Sequence, residues 1–474
     1  MDPISYSCVN EESHKGEDFW VTQTQGRVCG FGVFDGHGGK DCARFCASKG
    51  PEGILPRLLM KSTLPTPTEV EDAFWKVDAE CGPALAARGG HGRQGGGAHA
   101  GTTSNVLFIE ALPARSSKAG PASAAGLGSL GGYRCLWAWT GDSTGITVDM
   151  SSGKLGPCTT NHVPESEVEA ANLRMMEAVG KLLLKGKGKD DKKDRKDRRS
   201  KLKGGESGEG GEVLTAAATS AAAVASVPTA EAEAPAAASS SSAEHECAPN
   251  APLAVAPPTS HLAEDDCDDS GDEALPTLDD VVNAMQRAGV QPTPTCDAAL
   301  MLRALERERL IARTIPKGRK YRRNAVMQRR PRAKDENMPM VVATHEDPYS
   351  SHYRDLLMTR SVCDWTKSCW VLPHPETLEF TVAHSKRFRV VLASDGLWDI
   401  CSAERAAEVA FRAPTVHAAA VELLNIARGV YHGERGLEKM GDDTTILVLE
   451  LNPSGSTSAA APALKRNGSG CSIS

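Results

Sequence analysis

From residue 181 to residue 276 this chain contains no Phe, Trp or Tyr, and it runs through a basic stretch, an Ala/Ser/Glu/Pro stretch and an acidic cluster. Too little apolar area is available there to offset the entropy of ordering the chain, so disorder is expected. Any folded domain must therefore be closed from two separated segments. The expected organisation is a first part at 1–180, a disordered insertion at 181–276, a helical and basic segment at 277–337, a second part at 338–452, and an unstructured Ser/Ala/Gly-rich tail at 453–474.

Both ordered segments show strand and helix periodicities. Strand-like runs fall at Val28–Phe34, Thr103–Glu110, Leu136–Thr140 and Gly145–Asp149, and again near 368–373, 379–384, 387–394 and 444–451. Helices are expected at Val70–Glu80, Ser166–Leu184 and Asp297–Thr314. Thr277 and Asp280 have capping-box spacing, with Leu278, Val281, Val282 and Met285 on one face. Residues 112–132 are a Gly/Ser/Ala-rich loop. The Gly-rich stretch Gly89–Gly101 lacks Gly-Lys-Ser/Thr and precedes a strand, so a phosphate-cradling P-loop is excluded, and His91 and His99 beside it read as solvated.

Net charge is −7, but its distribution is uneven. Residues 185–203 carry eleven Lys/Arg against four Asp, residues 303–334 carry thirteen against two Glu, and residues 264–273 carry seven acids and no base. The remainder is strongly acidic, which suggests an acidic catalytic body with segregated basic segments. Those segments suit an acidic partner or an anionic surface, equally a solvated linker or helix face. With no aromatics interleaved for base stacking, specific nucleic-acid binding does not follow.

The chemistry is carried by acidic turns at strand ends. Asp35-Gly36-His37-Gly38 closes the apolar run Val28–Phe34, with Glu17-Asp18 on the preceding segment. Asp395-Gly396 ends Val390–Ser394, and Asp442-Asp443 precede Thr444–Leu449. Each Asp-Gly taken alone reads as an ordinary turn. Together, carboxylates in apolar settings with acidic neighbours need a counter-charge, and a hard divalent cation with oxygen ligands supplies it. A metal-dependent hydrolase is the resulting expectation.

Seven elements in order resemble the protein phosphatase type 2C (PPM) family of metal-dependent serine/threonine phosphatases. They are Lys15-Gly16-Glu17-Asp18-Phe19, Val33–Gly39, Gly101-Thr102-Thr103-Ser104, Thr140-Gly141-Asp142-Ser143, Thr359–Asp364, Ala393–Asp399 and Asp442-Asp443-Thr444-Thr445. The resemblance implies an α+β fold, a four-layer α-β-β-α sandwich of two antiparallel sheets flanked by helices. It also implies two Mg²⁺ or Mn²⁺ ions. Asp35 would bridge them, the Gly36 carbonyl and Asp18 would serve one, and Asp395 and Asp442 the other. Glu17 would hold coordinated waters, and Asp142 and Asp399 with Asp395 would form a third-metal site. Water activated by the ions would attack phosphoserine or phosphothreonine directly, without a phosphoenzyme, while His37 protonates the leaving oxygen.

Several positions depart from the family pattern. Ser13 stands where an arginine usually grips phosphate, leaving Lys15 or His14 for that task. Cys363 replaces a glycine before Asp364, Asn161-His162 replaces Asp-His, and Thr144 replaces an arginine. These departures keep two rivals in view. One is a catalytically weak pseudophosphatase that docks phosphoproteins, and the other a phosphoesterase acting on small molecules.

Fourteen scattered cysteines without a Cys-x-x-Cys pair suit a reducing compartment. Met1–Ser5 shows no signal-peptide character, and no run approaches the ~18 apolar residues of a membrane span. An intracellular monomer, in the cytoplasm and/or nucleus, is expected. Cys471-Ser472-Ile473-Ser474 fits a C-a-a-X prenylation pattern, and one lipid with Lys465 and Arg466 upstream would give reversible membrane attachment at best.

Overall fold

Two five-stranded antiparallel sheets stack in this chain, beside two three-stranded ones, in a computed structural model that describes residues 4–88, 100–113, 131–185, 275–314, 326–329, 340–343, 355–365 and 370–452. One five-stranded sheet runs Ile4–Glu11, Thr444–Leu451, Phe388–Ala393, Thr144–Asp149, Leu155–Cys158. The other runs Glu376–Ala383, Gly132–Thr140, Ser104–Leu112, Val28–Phe34, Phe19–Gln25. Each sheet joins strands from both segments: Ile4–Glu11 pairs with Thr444–Leu451, and Glu376–Ala383 pairs with Gly132–Thr140.

Strands buried on both faces carry continuous apolar runs, as in Val28–Phe34 and in 446–449 of Thr444–Leu451, because each contributes to two cores. Between the sheets lie Phe31, Val33, Leu107, Trp137, Val390, Leu392, Leu447 and Leu449. Outside the second sheet pack helices Asp41–Cys46, Ile54–Leu59 and Pro67–Arg88. Helices Ala403–Arg412 and Val416–Arg428 cover the first. The result is the expected α-β-β-α sandwich. No described helix is long and apolar enough to cross a membrane.

A helical lobe adds to one side. Helices Glu167–Lys185, Leu278–Ala288 and Ala298–Thr314 share a core with Trp75, Trp370 and Leu372. The capping box forms as spaced: the Thr277 hydroxyl accepts from Asp280 N–H, and the Asp280 carboxylate accepts from Thr277 N–H. The buried face differs from the expected one. Leu278 and Val282 are exposed, and Val281, Ala284 and Met285 are inside. Ala284 lets the helix approach closely on that side, which turns the stripe toward it.

The expected strand near 368–373 does not form as one. Residues 366–369 lie outside the described residues, and Leu372 makes an isolated parallel bridge to Arg360. Trp370, Val371 and Leu372 are all buried in the helical lobe, so side-chain packing holds this segment where a ladder was anticipated. Helix Pro67–Arg88 runs longer than Val70–Glu80, and two strands absent from the periodicity reading, Ile4–Glu11 and Phe19–Gln25, frame the first acidic pair. Most of the 112–132 loop, residues 186–274, His91, His99 and the tail with Cys471 lie outside the described residues.

Candidate active site

The turn at Asp35 is built by three backbone segments meeting at one end of the sandwich. Gly36–His37 pairs with Gly101–Thr102, which pairs with Val362–Cys363. Thr103 N–H (2.9 Å) and the Thr102 hydroxyl (2.9 Å) both donate to the Asp35 carbonyl. The Thr103 hydroxyl lies 2.6 Å from that of Ser143, tying the turn to Gly141-Asp142-Ser143. Two glycines are required by space. A Cβ on Gly36 would sit 2.5 Å from the Glu17 carbonyl, and one on Gly101 would sit 2.3 Å from Asp364 Oδ2 and 2.5 Å from His37 Nε2.

Around this turn the structure gathers the carboxylates singled out in the sequence. Burial pushes Asp35 well above the usual carboxylate range, and Asp395, Asp18, Asp142 and Asp442 add repulsion. Burial likewise raises Asp395, with Asp142, Asp442 and Asp399 contributing. Asp18 is pushed up to about 7 by burial, against hydrogen bonds that favour its ionised form, notably from the Ser394 hydroxyl at 2.7 Å. Asp142 is pushed up to about 6 by burial, with Asp399 and Asp442 nearby. Asp399 is exposed, and Glu17, half-buried, is raised by burial while it accepts from Gly39 N–H at 2.7 Å.

Asp18 Oδ1 and Asp142 Oδ1 are buried without a hydrogen-bond donor. Carboxylate oxygens left unpaired amid like charges fit a divalent cation, which prefers such hard oxygen ligands. Asp18, Asp35, Asp395 and Asp442 are the residues placed to hold it, with Glu17 at the edge.

The adjacent acids Asp442 and Asp443 divide their work. The Asp443 carboxylate is buried and accepts from Ser13 N–H (2.5 Å), Gly16 N–H (3.2 Å) and Glu17 N–H (2.5 Å). Burial raises Asp443, but these donors outweigh it and hold the group below its usual value. It therefore shapes the loop that presents Glu17 and Asp18, a role the sequence reading did not assign. Asp442 faces the acidic cluster and pairs with Lys15 Nζ at 2.7 Å. Burial disfavours the Lys15 ammonium, yet Asp442, Asp395 and Asp35 raise its pKa above the usual lysine value. Ser13 is buried, its hydroxyl accepting from Lys15 N–H (3.1 Å), and His14 is exposed.

His37 Nε2 lies 2.7 Å from Asp364 Oδ2, and Asp364 is fully buried. The Ser361 hydroxyl donates to the same carboxylate. Asp364 belongs to the Thr359–Asp364 element, but its role is tertiary, since 327 residues separate it from His37. The question left by Cys363 is answered by geometry: Cys363 and Asp364 both adopt left-handed conformations, at φ +70° and +53°. The cysteine keeps the backbone that glycine would prefer, at a cost of about 1–3 kcal/mol.

Residues 349–430 match the protein phosphatase 2C family profile. No curated protein matches this sequence. Among solved structures this chain is similar to a serine-threonine phosphatase 2C from Toxoplasma gondii, at 12% identity and TM-score 0.46 over 95% of this chain and 97% of that one. It is also similar to a serine/threonine phosphatase from Mycobacterium tuberculosis, at 12% identity and TM-score 0.35 over 95% and 100%.

Two further charged groups of the chain are structural. Buried Arg360 pairs with Glu169 (Nη2–Oε1 2.5 Å) and Glu376 (3.4 Å), and His162 lies 3.4 Å from Glu376. The guanidinium supplies the cation this His162–Glu169–Glu376 cluster needs. In the basic segment, Arg303 pairs with Glu71 (2.7 Å) and Asp72 (2.9 Å) and lies over the Trp75 ring. Arg307 is buried against Asp78 at 2.8 Å. Those two arginines hold the helical lobe to helix Pro67–Arg88, and bases between 315 and 325 lie outside the described residues.

Proposed function

We propose that this chain is a metal-dependent phosphoprotein phosphatase that hydrolyses phosphoserine and phosphothreonine. The observation that carries the reading is the convergence of Asp18, Asp35, Asp142, Asp395 and Asp442 beside an aspartate-held histidine. Two Mg²⁺ or Mn²⁺ ions bound there would supply an activated water and screen the phosphate charge, and Asp142, Asp395 and Asp399 leave room for a third.

The chain's own residues supply the rest. Asp364, fixed by Ser361, holds His37 Nε2 and so orients the ring, and Nδ1, which has no protein partner, would be the nitrogen left to donate to the departing alkoxide. Asp443 and the Thr102–Thr103 pair hold the backbones of Glu17-Asp18 and Asp35 in place. Lys15 neutralises Asp442 in the cation-free protein. Were Asp442 to hold an ion, the Lys15 ammonium would be free to meet the substrate phosphate as a point charge, in place of a guanidinium.

Turnover of a phosphothreonine peptide should require Mn²⁺ or Mg²⁺, stop with EDTA, and disappear in Asp395→Ala. Activity that survives chelation would refute the metal reading. The second reading, a phosphoprotein-docking pseudophosphatase, is favoured by Ser13, which anchors a loop where a phosphate grip would stand. It requires retained phosphopeptide binding with no turnover at any metal concentration.

A further inference from the structure

Behind the catalytic histidine lies a second cluster that the phosphatase reading does not use. Cys42 of helix Asp41–Cys46, Cys81 of helix Pro67–Arg88 and Cys363 of strand Val362–Cys363 bring their sulfurs within 4.8 Å of one another. All three are buried, in an apolar core with Phe34, Ile54, Leu55 and Val77.

Nearby oxygens are already committed. Asp78 Oδ1 accepts from Cys363 N–H (2.8 Å) and Arg307 Nη2 (3.0 Å), while Oδ2 accepts from Arg307 Nε (2.8 Å) and Trp365 Nε1 (3.0 Å). The available donors are thus three sulfurs, with a neutralised Arg–Asp pair alongside. Cys363 adds a second, independent observation. It occupies a left-handed backbone position at φ +70° that glycine would fill without strain, so the strain is tolerated where it places a sulfur. Hydrogen bonds from the Cys363 and Cys42 thiols also hold the Cys81 thiol down to about 7 against burial.

We propose that Cys42, Cys81 and Cys363 form a three-thiolate site for a thiophilic d¹⁰ cation, Zn²⁺ or Cu⁺. Thiolates select these ions over the hard cations of the acidic cluster. A Zn–S bond of about 2.3 Å spreads three sulfurs roughly 4 Å apart, within the separation seen. Binding breaks three S–H bonds, forms three metal–sulfur bonds and releases three protons to solvent. The bound ion would fasten two helices to the strand that leads into Asp364, and so steady the partner of His37.

The full-length reduced protein is titrated with Cd²⁺ as an optical probe, and separately with Zn²⁺ and Cu⁺ against chromophoric chelators. A thiolate-to-cadmium charge-transfer band saturating at one equivalent is expected, which oxygen ligands at the acidic cluster cannot produce. Cys363→Gly relieves the backbone strain and should fold, yet should weaken binding about 100-fold or more, as should Cys81→Ala. Chelator competition by Zn²⁺ or by Cu⁺ identifies the ion. Absence of the band in the wild-type protein, or an undiminished band in Cys363→Gly, would overturn the proposal. Neither result depends on phosphatase turnover.

Discussion

A histidine acts as a proton donor only where its ring is aimed, and in this chain aim comes from a single carboxylate. Replacing His37 by Ala should lower turnover of phosphoserine peptides by about 10²–10⁴-fold. An aryl phosphate, whose leaving group needs no proton, should lose far less. Equal losses on both substrates would argue that His37 supports the cation cluster instead. Ser394 is the other residue with leverage. Its hydroxyl donates to Asp18 Oδ2 and accepts from Thr445 N–H at 3.0 Å, in a fully buried position. Ser394→Ala strands both partners and should cost about 1–3 kcal/mol in urea unfolding. A loss below ~0.5 kcal/mol would mean that water or a neighbour replaces it.

Among the elements, helix Leu278–Ala288 shows how a correct helix can be given the wrong face. Its cap and length follow from Thr277, Asp280 and Gly289, the last left-handed at φ +66°. Its apolar residues span a broad arc, and periodicity alone cannot say which edge is covered. Met285→Ala should therefore cost about 2–5 kcal/mol, and Leu278→Ala about 0.5 kcal/mol or less, in chemical denaturation. The reverse order would place the helix on its other edge. The same lobe depends on Arg307, whose guanidinium joins Asp78 to the Cys363 carbonyl. It is a basic residue kept for packing, although composition alone grouped it with a charged surface.

For the molecule as a whole, a concentration of buried acids makes stability depend on pH and on cations together. Asp18, pushed up to about 7, and Asp142, pushed up to about 6, fit the fold best when protonated. That contribution is complete below the unfolded carboxylate value near 4 and is lost as pH rises through 6 to 7. A cation removes the penalty, so the rise in Tm caused by saturating Mn²⁺ should grow from pH 5 to pH 7.5 and then level off. An increment that is flat or falls with pH would contradict the cluster. Much of this was legible in the chain. Glycine-bounded acidic turns at the ends of apolar strands mark, taken together, the carboxylates that the fold gathers around Asp35. A fold closed from two segments follows from strand periodicity on both sides of a stretch without aromatic residues, while the sandwich itself was implied by the family resemblance. Other features depend on partners hundreds of residues away and leave no local trace. Asp443 turns from the cations to the loop at 13–17, Asp364 holds His37, and Cys363 meets Cys42 and Cys81. The sequence by itself determined which residues could bind and where the strands would run, since those depend on side-chain type and short-range spacing. Only the tertiary structure decided which of Asp442 and Asp443 faces the acidic cluster, which helix edge is buried and what orients the histidine, since each is a contact between segments brought together by folding.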